Sequence, residues 1–113
     1  MLARANRVVR ADDYRTTVRR GRRVGTAHTV IYFAPRAIDE PTRFGFIVAK
    51  SVGGAVRRNV VRRRMKAIGY ELVRKHGEGT DIVIRALPGS DQVEWSTLQI
   101  EIAEAVERGV ARG

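Results

Sequence analysis

The sequence predicts an α+β fold, a two-layer α-β sandwich in which helices pack on one small sheet in the order α-β-β-α-β-α. Three observations support this prediction. Two segments rich in β-branched and aromatic residues lie in the first half of the chain. One segment in the middle and another near the C-terminus carry apolar residues at helical spacing. At 113 residues the chain fits one domain, residues 1–113.

The chain is predicted to begin with a basic arm and a short helix. Residues 1–11 have no regular pattern, and their arginine content favours mobility. Asp12 or Asp13 can cap the helix that follows, and Gly21 ends it.

Two strands come next, and we expect them to pair with each other. Residues 28–34 form the first strand, which Pro35 stops, and residues 43–50 form the second. Residues 39–41 provide a turn between them. The sequence therefore predicts an antiparallel pair.

The second half of the chain is predicted to contain a helix, a strand and a second helix. The main helix runs from about residue 55 to 75, the strand covers residues 80–86, and the last helix runs from about 92 to 108. Because the strand is a continuous apolar run, we expect both of its faces to be buried. The apolar stripe of the main helix consists of Val61, Met65, Ile68 and Leu72. That of the last helix consists of Trp95, Leu98, Ile102 and Ala105.

The chain is strongly basic, and its charge is unevenly distributed. The formal net charge is +10 and the isoelectric point is about 11.3, values typical of nucleic-acid-binding domains. Residues 1–23 carry eight arginines and two acids, whereas the residues from 76 onward carry three arginines and seven acids. The positive field therefore belongs to the N-terminal segment and the main helix.

Several classes of function are disfavoured. Cysteine is absent, so disulfides and thiolate metal sites are excluded. No apolar run approaches the roughly 20 residues of a membrane span, and no signal peptide is recognisable, so we expect a cytoplasmic protein that does not bind membranes. His28 and His76 have no ligand-like neighbours, and nothing resembles a triad or a paired-carboxylate site. We therefore predict no catalytic residue and no metal ligand in this chain.

The first part of the main helix is the strongest functional signal. Residues 57–66 hold six basic side chains and no acid. Charged helix faces are usually just solvated, but such faces mix both signs, because like charges at i,i+4 repel by about 0.2–0.5 kcal/mol. A polyanion would relieve this repulsion and release counterions on binding. The side chains that share this face are Asn59, Arg62, Arg63 and Lys66.

Two further features are compatible with nucleic-acid binding. Gly53 and Gly54 form a turn before the helix and leave its N-terminus open, where free amides attract phosphate. Tyr14 and Val18 lie one turn apart on the first helix, and Tyr32 lies on a strand. Core packing is the default for such side chains, but a tyrosine beside arginines can also stack on unpaired bases.

Residues 44–59 read Phe-Gly-Phe-Ile-Val-Ala-Lys-Ser-Val-Gly-Gly-Ala-Val-Arg-Arg-Asn. This segment resembles the signature of the bacterial ribonuclease P protein subunit family. In that family a strand ends in Ser-Lys-Lys, Val-Gly-Asn-Ala-Val follows, and a helix opens with Arg-Asn-Arg. The resemblance covers nearly the whole chain, through Asp13-Tyr14, Gly21-Arg22-Arg23, Val30-Ile31-Tyr32 and Asp81-Ile82-Val83-Ile84.

Four positions depart from the family pattern. Val60 stands where the second arginine of Arg-Asn-Arg is usual, and Gly54 replaces an asparagine. Ser51 replaces a lysine, and Leu87 stands where an arginine often follows the last strand. The neighbouring arginines of the helix preserve its charge.

The resemblance implies a fold and a role that the residue patterns do not supply. The fold is a mixed sheet whose parallel strands join through a left-handed βαβ crossover, against the usual handedness. The role is removal of the 5′ leader of precursor tRNA, with hydrolysis by the RNA subunit and with Mg²⁺ held mainly on that RNA. The implied partners are the catalytic RNA, bound 1:1 by a protein that is monomeric when free, and precursor tRNA.

The resemblance also implies binding residues. The expected contacts with the catalytic RNA are Gly53, Gly54, Arg57, Arg58, Asn59, Arg62, Arg63 and Lys66. The expected lining of a cleft for the single-stranded leader is Tyr14, Val18, Tyr32 and Lys50. The basic N-terminal segment adds Arg7, Arg10, Arg22 and Arg23.

Two other interpretations stay open on the sequence alone. The chain can be a different RNA-binding module, such as a ribosomal protein or an assembly factor of similar topology. It can also be a protein nuclease that acts without RNA, which the missing acid cluster disfavours.

Overall fold

The structure, a computed structural model, describes residues 2–112. Short 3-10 helices occupy Arg4–Asn6 and Lys50–Val52. No helix among the described residues is long and apolar enough to cross a membrane. The main elements are α1 (Ala11–Arg20), β1 (Arg22–Gly25), β2 (Thr29–Pro35), β3 (Arg43–Ile47), α2 (Ala55–Val73), β4 (Thr80–Ala86) and α3 (Trp95–Arg112).

The four strands form one mixed sheet in the order β1-β2-β4-β3. The predicted antiparallel pair of β2 and β3 is wrong, because β4 lies between them, antiparallel to β2 and parallel to β3. Ile82, Val83 and Ile84 are fully buried, as a strand with neighbours on both edges and cover on both faces requires. The parallel β3-α2-β4 unit is present as expected, and its handedness stays a prediction.

The sheet has one strand more than the sequence predicts. β1 carries two arginines and a glycine among its four residues, so it lacks the apolar alternation of a strand. Its backbone pairs antiparallel with β2, with Arg23 opposite Tyr32. The second predicted strand is shorter than expected and ends at Ile47, since a 3-10 helix follows it at Lys50–Val52.

Helices α2 and α3 cover one face of the sheet and enclose the core. All four residues of the predicted α2 stripe are buried, and so are Leu98, Ile102 and Ala105 of α3. Trp95 is the exception, since 38% of it is exposed at the first turn of α3. Its predicted place in the core is therefore wrong.

Helix α1 lies on the opposite face of the sheet. Phe44 and Phe46 belong to the core with α2, so Gly45 between them faces the other way. A Cβ on Gly45 would lie 2.6 Å from the Tyr14 ring of α1, and the Phe46 N–H donates to the Tyr14 hydroxyl at 3.2 Å. Glycine at position 45 therefore permits close contact between α1 and β3.

The ends of α1 agree only partly with the prediction. The helix ends at Gly21 as expected, but its N-cap is Arg10, which makes no side-chain capping bond. Asp12 and Asp13 both lie inside the first turn, where a negative carboxylate interacts favourably with the positive end of the helix dipole. The predicted aspartate cap is therefore wrong, and the carboxylate of Asp13 binds Arg43 at 3.3 Å instead.

Residues 2–10 run along the outer edge of β3. The Val8 N–H donates to the carbonyl of Phe44 at 2.9 Å, and the Asn6 amide donates to the carbonyl of Thr42 at 2.9 Å. Leu2 and Val8 are both buried. Residues 2–10 therefore contribute to the core and cover part of an otherwise unpaired strand edge, while the mobility of this arm stays a prediction.

One buried carboxylate anchors the sheet near the start of β4. Asp81 accepts two hydrogen bonds from Arg43, at 2.8 and 2.7 Å, and lies 3.6 Å from Arg36. The hydrogen bond to Asp81 raises the pKa of Arg43 above its usual value. Asp81 is thus neutralised by its own neighbours.

Candidate nucleic-acid interface

The exposed side of α2 carries the cations that the sequence places there. Asn59, Arg63 and Lys66 are exposed and Arg62 is half-buried. These four residues, which we call the cationic ridge, line a shallow groove of about 460 Å³ together with Val56. The helix spacing predicted from the sequence is confirmed, because the buried stripe of α2 lies on a different side.

Carboxylates leave most of the cations of α2 free. Within residues 2–112, only Arg57 of this helix has a carboxylate oxygen within 4 Å, that of Asp91 at 3.4 Å. Arg62 donates instead to the side-chain oxygen of Asn59 at 3.0 Å, and Arg58 donates to the carbonyl of Gly53 at 3.2 Å. The positive charge of the ridge is therefore available to a polyanion outside the chain.

The glycine loop before α2 is open, as predicted. Gly54 is the N-cap, and no side chain caps the helix. A Cβ at Gly54 would meet nothing within 4 Å. Gly53 has φ 158°, and a Cβ there would lie 3.1 Å from the Arg57 side chain. The first amides of α2 can thus be approached by an external phosphate.

A second groove connects the ridge to α1. It has a volume of about 220 Å³ and is bounded by the arm, the edge of β3, Tyr14, Arg62 and Lys66. The sequence assigned Tyr14 to one surface and the two cations to another. The structure brings these three side chains to one groove.

The other residues predicted for a cleft lie outside that groove. Tyr32 faces the α1 side of the sheet but is only 5% exposed, and Arg23 and Arg85 lie at 6.0 and 5.9 Å from its ring centre. Val18 is half-buried on α1, and Lys50 is exposed in the 3-10 helix after β3. The leader-binding role of these residues stays a prediction.

The four arginines of the N-terminal segment are in different environments. The backbone of Arg7 forms a parallel β-bridge with Phe44, and its side chain is exposed and lines the groove beside Tyr14. Arg10 is exposed at the start of α1. Arg22 binds the carbonyl of Gly109 and stabilises the contact between β1 and α3. Arg23 is exposed on β1, with its guanidinium 6.0 Å from the centre of the Tyr32 ring. Arg7, Arg10 and Arg23 are thus exposed, whereas Arg22 is engaged in an internal contact.

Two cationic or aromatic features of the surface were not predicted from the sequence. Arg85 lies exposed on the α1 face beside Tyr32, and its signal is an arginine inside an apolar strand, where side chains alternate between faces. Tyr70 and Trp95 are partly exposed and line one groove, although they come from different helices. The spacing of residues within one helix cannot predict that Tyr70 and Trp95, which belong to two helices, lie in the same groove.

The acidic side chains form no site of their own in the part of the chain that the structure covers. Among residues 2–112, no three His, Asp or Glu side chains are grouped as a metal ion would require. His28 binds the carboxylate of Glu101 at 2.9 Å, which links the residue just before β2 to α3.

Fold and site together define a class: a small basic α+β protein with an exposed cationic helix beside a mixed sheet. The family model described as Ribonuclease P matches residues 2–109. The chain belongs to this family, the protein component of ribonuclease P. It acts as the protein subunit of that enzyme, with RNase P RNA as its partner in the processing of precursor tRNA.

Relatives and solved structures agree with this assignment. The ribonuclease P protein component of Clavibacter michiganensis is 54% identical over 110 residues, which cover 97% of each chain. That of Pseudarthrobacter chlorophenolicus is 46% identical, over 99% of this chain and 82% of the relative. The RNase P protein of Staphylococcus aureus has the same fold, with a TM-score of 0.81 at 21% identity over 92% of this chain and 94% of that one. The Thermotoga maritima protein gives 0.76 at 22% identity, over 90% and 96%.

Proposed function

We propose that the cationic ridge and the glycine loop of α2 bind the catalytic RNA. The observation that carries this proposal is the lack of internal carboxylate partners for Arg62, Arg63 and Lys66 among the described residues. Phosphates supply the missing anions, and the open N-terminus of α2 supplies amide donors. The proposed contacts are Gly53, Gly54, Arg57, Arg58, Asn59, Arg62, Arg63 and Lys66.

The 5′ leader of precursor tRNA is assigned to the α1 side of the molecule. Tyr14, Val18, Tyr32 and Lys50 are the proposed contacts, and Arg7 and Arg10 extend the positive field towards them. The support for this assignment is the groove that Tyr14 shares with Arg62 and Lys66. A leader in that groove would lie next to RNA on the ridge, so the same cations would screen two approaching backbones.

The chemistry is assigned to the RNA subunit, with Mg²⁺ held mainly there. The two carboxylates that are most buried support this division, because Asp81 is bound by Arg43 and Arg36 and Asp91 lies 3.4 Å from Arg57. The protein would bind as one copy per RNA, from a monomeric state, in the bacterial cytoplasm. Its own contribution is substrate affinity and charge neutralisation.

Reconstitution tests these assignments together. Cognate RNase P RNA is incubated with leader-bearing precursor tRNA at low Mg²⁺, with and without the protein, and cleavage at the mature 5′ end is followed. We expect the protein to accelerate cleavage by the RNA and to produce none without it. Metal-dependent cleavage by the RNA-free protein would contradict the assignment, and so would a protein that leaves the RNA-only rate unchanged.

A further inference from the structure

A groove with aromatic walls lies beside the cationic ridge, between the arm, α2 and the start of α3. We call it the aromatic groove. Its volume is about 440 Å³, within the range of about 300–1,000 Å³ typical of small-ligand clefts. Leu2 and Ala67 contribute apolar surface, and Tyr70 and Trp95 contribute rings that are 40% and 38% exposed. The accessible lining is predominantly apolar.

Internal contacts hold the groove open and in place. Arg64 of α2 donates to the carbonyl of Val93 at 3.3 Å, just before α3 begins. Leu2 is buried, and a Cβ on Gly69 of α2 would lie 3.4 Å from the Leu2 side chain. The arm and both helices are thus fixed against one another at this position, so the groove is a pre-formed feature of the fold.

The groove combines aromatic faces with an excess of positive charge. Arg7, Arg63 and Lys66 line it, against the single acid Glu71 among its lining residues. Aromatic side chains flanked by cations are the arrangement that binds unpaired nucleotides, because the base stacks on a ring and the phosphate meets a cation. An apolar peptide would leave these cations without partners.

We propose that the aromatic groove takes an unpaired nucleobase of the RNase P RNA, stacked on Trp95 or Tyr70, with its phosphates at Arg63 and Lys66. This inference rests on the proposed function of the ridge and extends it. Arg63 and Lys66 also line the groove along the ridge. An RNA backbone on the ridge therefore passes the mouth of the aromatic groove, where a base can turn inward.

Fluorescence offers a direct test, because Trp95 is the only tryptophan of the chain. The full-length protein is titrated with cognate RNase P RNA, and the emission of Trp95 is followed. We expect saturable quenching with the same midpoint as an independent binding assay. Emission that stays constant while the RNA binds would overturn the proposal.

Substitutions test the energetic contribution of the groove. Replacing Tyr70 and Trp95 by leucine should weaken the binding of RNase P RNA about tenfold, or about 1.4 kcal/mol, with an unchanged salt dependence. The single variant Trp95→Phe should bind the RNA nearly as tightly as the wild type, because phenylalanine keeps an aromatic face at position 95. The matched control is Ile100→Ala, since Ile100 is 58% exposed on the same helix and is not among the lining residues. Far-UV circular dichroism and thermal unfolding verify that each variant is folded.

The outcomes separate this inference from the proposed function. If the wild-type chain binds the RNA through the ridge and the Tyr70→Leu/Trp95→Leu variant binds equally well, the groove is not a base site, while the ridge assignment stands. If Trp95 emission responds to protein concentration instead of RNA, and sedimentation shows a dimer, the groove is a self-association surface and the proposal is wrong. If the wild-type chain binds no RNA, the proposed function itself fails.

Discussion

Replacing Arg62 and Lys66 together by alanine should flatten the salt dependence of RNA binding. Among residues 2–112, the only hydrogen-bond partner of the Arg62 side chain is Asn59 of the same helix, at 3.0 Å, and Lys66 lies about one turn further along. If each cation meets one phosphate, the slope of log affinity against log salt falls by about 0.7–0.9 per contact, or about 1.4–1.8 for both. Between about 50 and about 200 mM salt the wild type should then lose roughly 7–12-fold more affinity than the variant.

The assay is equilibrium binding of cognate RNase P RNA at several salt concentrations. The matched control is Arg74→Ala with Lys75→Ala, which removes the same charge just past the C-terminal end of α2, about 12–20 Å along the helix axis from the two ridge cations. Both control residues are exposed, so the control variant does not disturb the core. A slope that Arg62→Ala/Lys66→Ala leaves unchanged would refute the ridge assignment. An equal change in the control would show a non-local charge effect and would refute it as well.

Two other predictions concern the α1 side of the sheet. Gly45→Ala puts a methyl group 2.6 Å from the Tyr14 ring, so Tyr14 must move. Reconstituted enzyme should then bind leader-bearing tRNA more weakly and mature tRNA equally well; equal losses would contradict the cleft assignment. Arg43→Met leaves Asp81 with Arg36 alone and should cost about 3 kcal/mol in urea unfolding, the low end for a broken buried pair. Because the hydrogen bond to Asp81 raises the pKa of Arg43 above its ordinary value, this arginine's contribution is complete at neutral pH and is lost only in strong alkali, as the pH rises through the folded-state pKa. The difference from wild type should thus stay constant between about pH 6 and about pH 9, and a large change there would contradict the pairing.

Local sequence patterns were sufficient for most of the elements but not for their arrangement. The bounds of β4 and the buried stripe of α2 follow from side-chain periodicity, which a single segment contains. Strand order depends on which strand edges meet after the helices pack. The sequences of β2 and β3 therefore contain no pattern that predicts the position of β4 between them. β1 was missed because it pairs through its backbone while its side chains are mainly arginine and glycine.

The same distinction applies to the site. The cationic ridge lies within one helix, so the spacing of Arg62, Arg63 and Lys66 was enough to predict it. The aromatic groove is made by Tyr70 and Trp95 of different helices, and no spacing rule connects them. For Tyr32, strand alternation predicts the face of the sheet on which the side chain lies. It does not predict the neighbouring residues that reduce the exposed fraction of Tyr32 to 5%.

Lys66 connects the surfaces that the sequence treats as separate. It lines the ridge groove, the groove beside Tyr14 and the aromatic groove. A compact ammonium group on a flexible stem can turn between phosphates, whereas the planar guanidinium of Arg62 is held by Asn59. In the proposed complex, one mobile cation therefore stands where the catalytic RNA and the leader approach each other. Since unscreened phosphates repel most strongly at close range, neutralisation at this point lowers the free energy of holding both strands together more than the same charge placed elsewhere on α2.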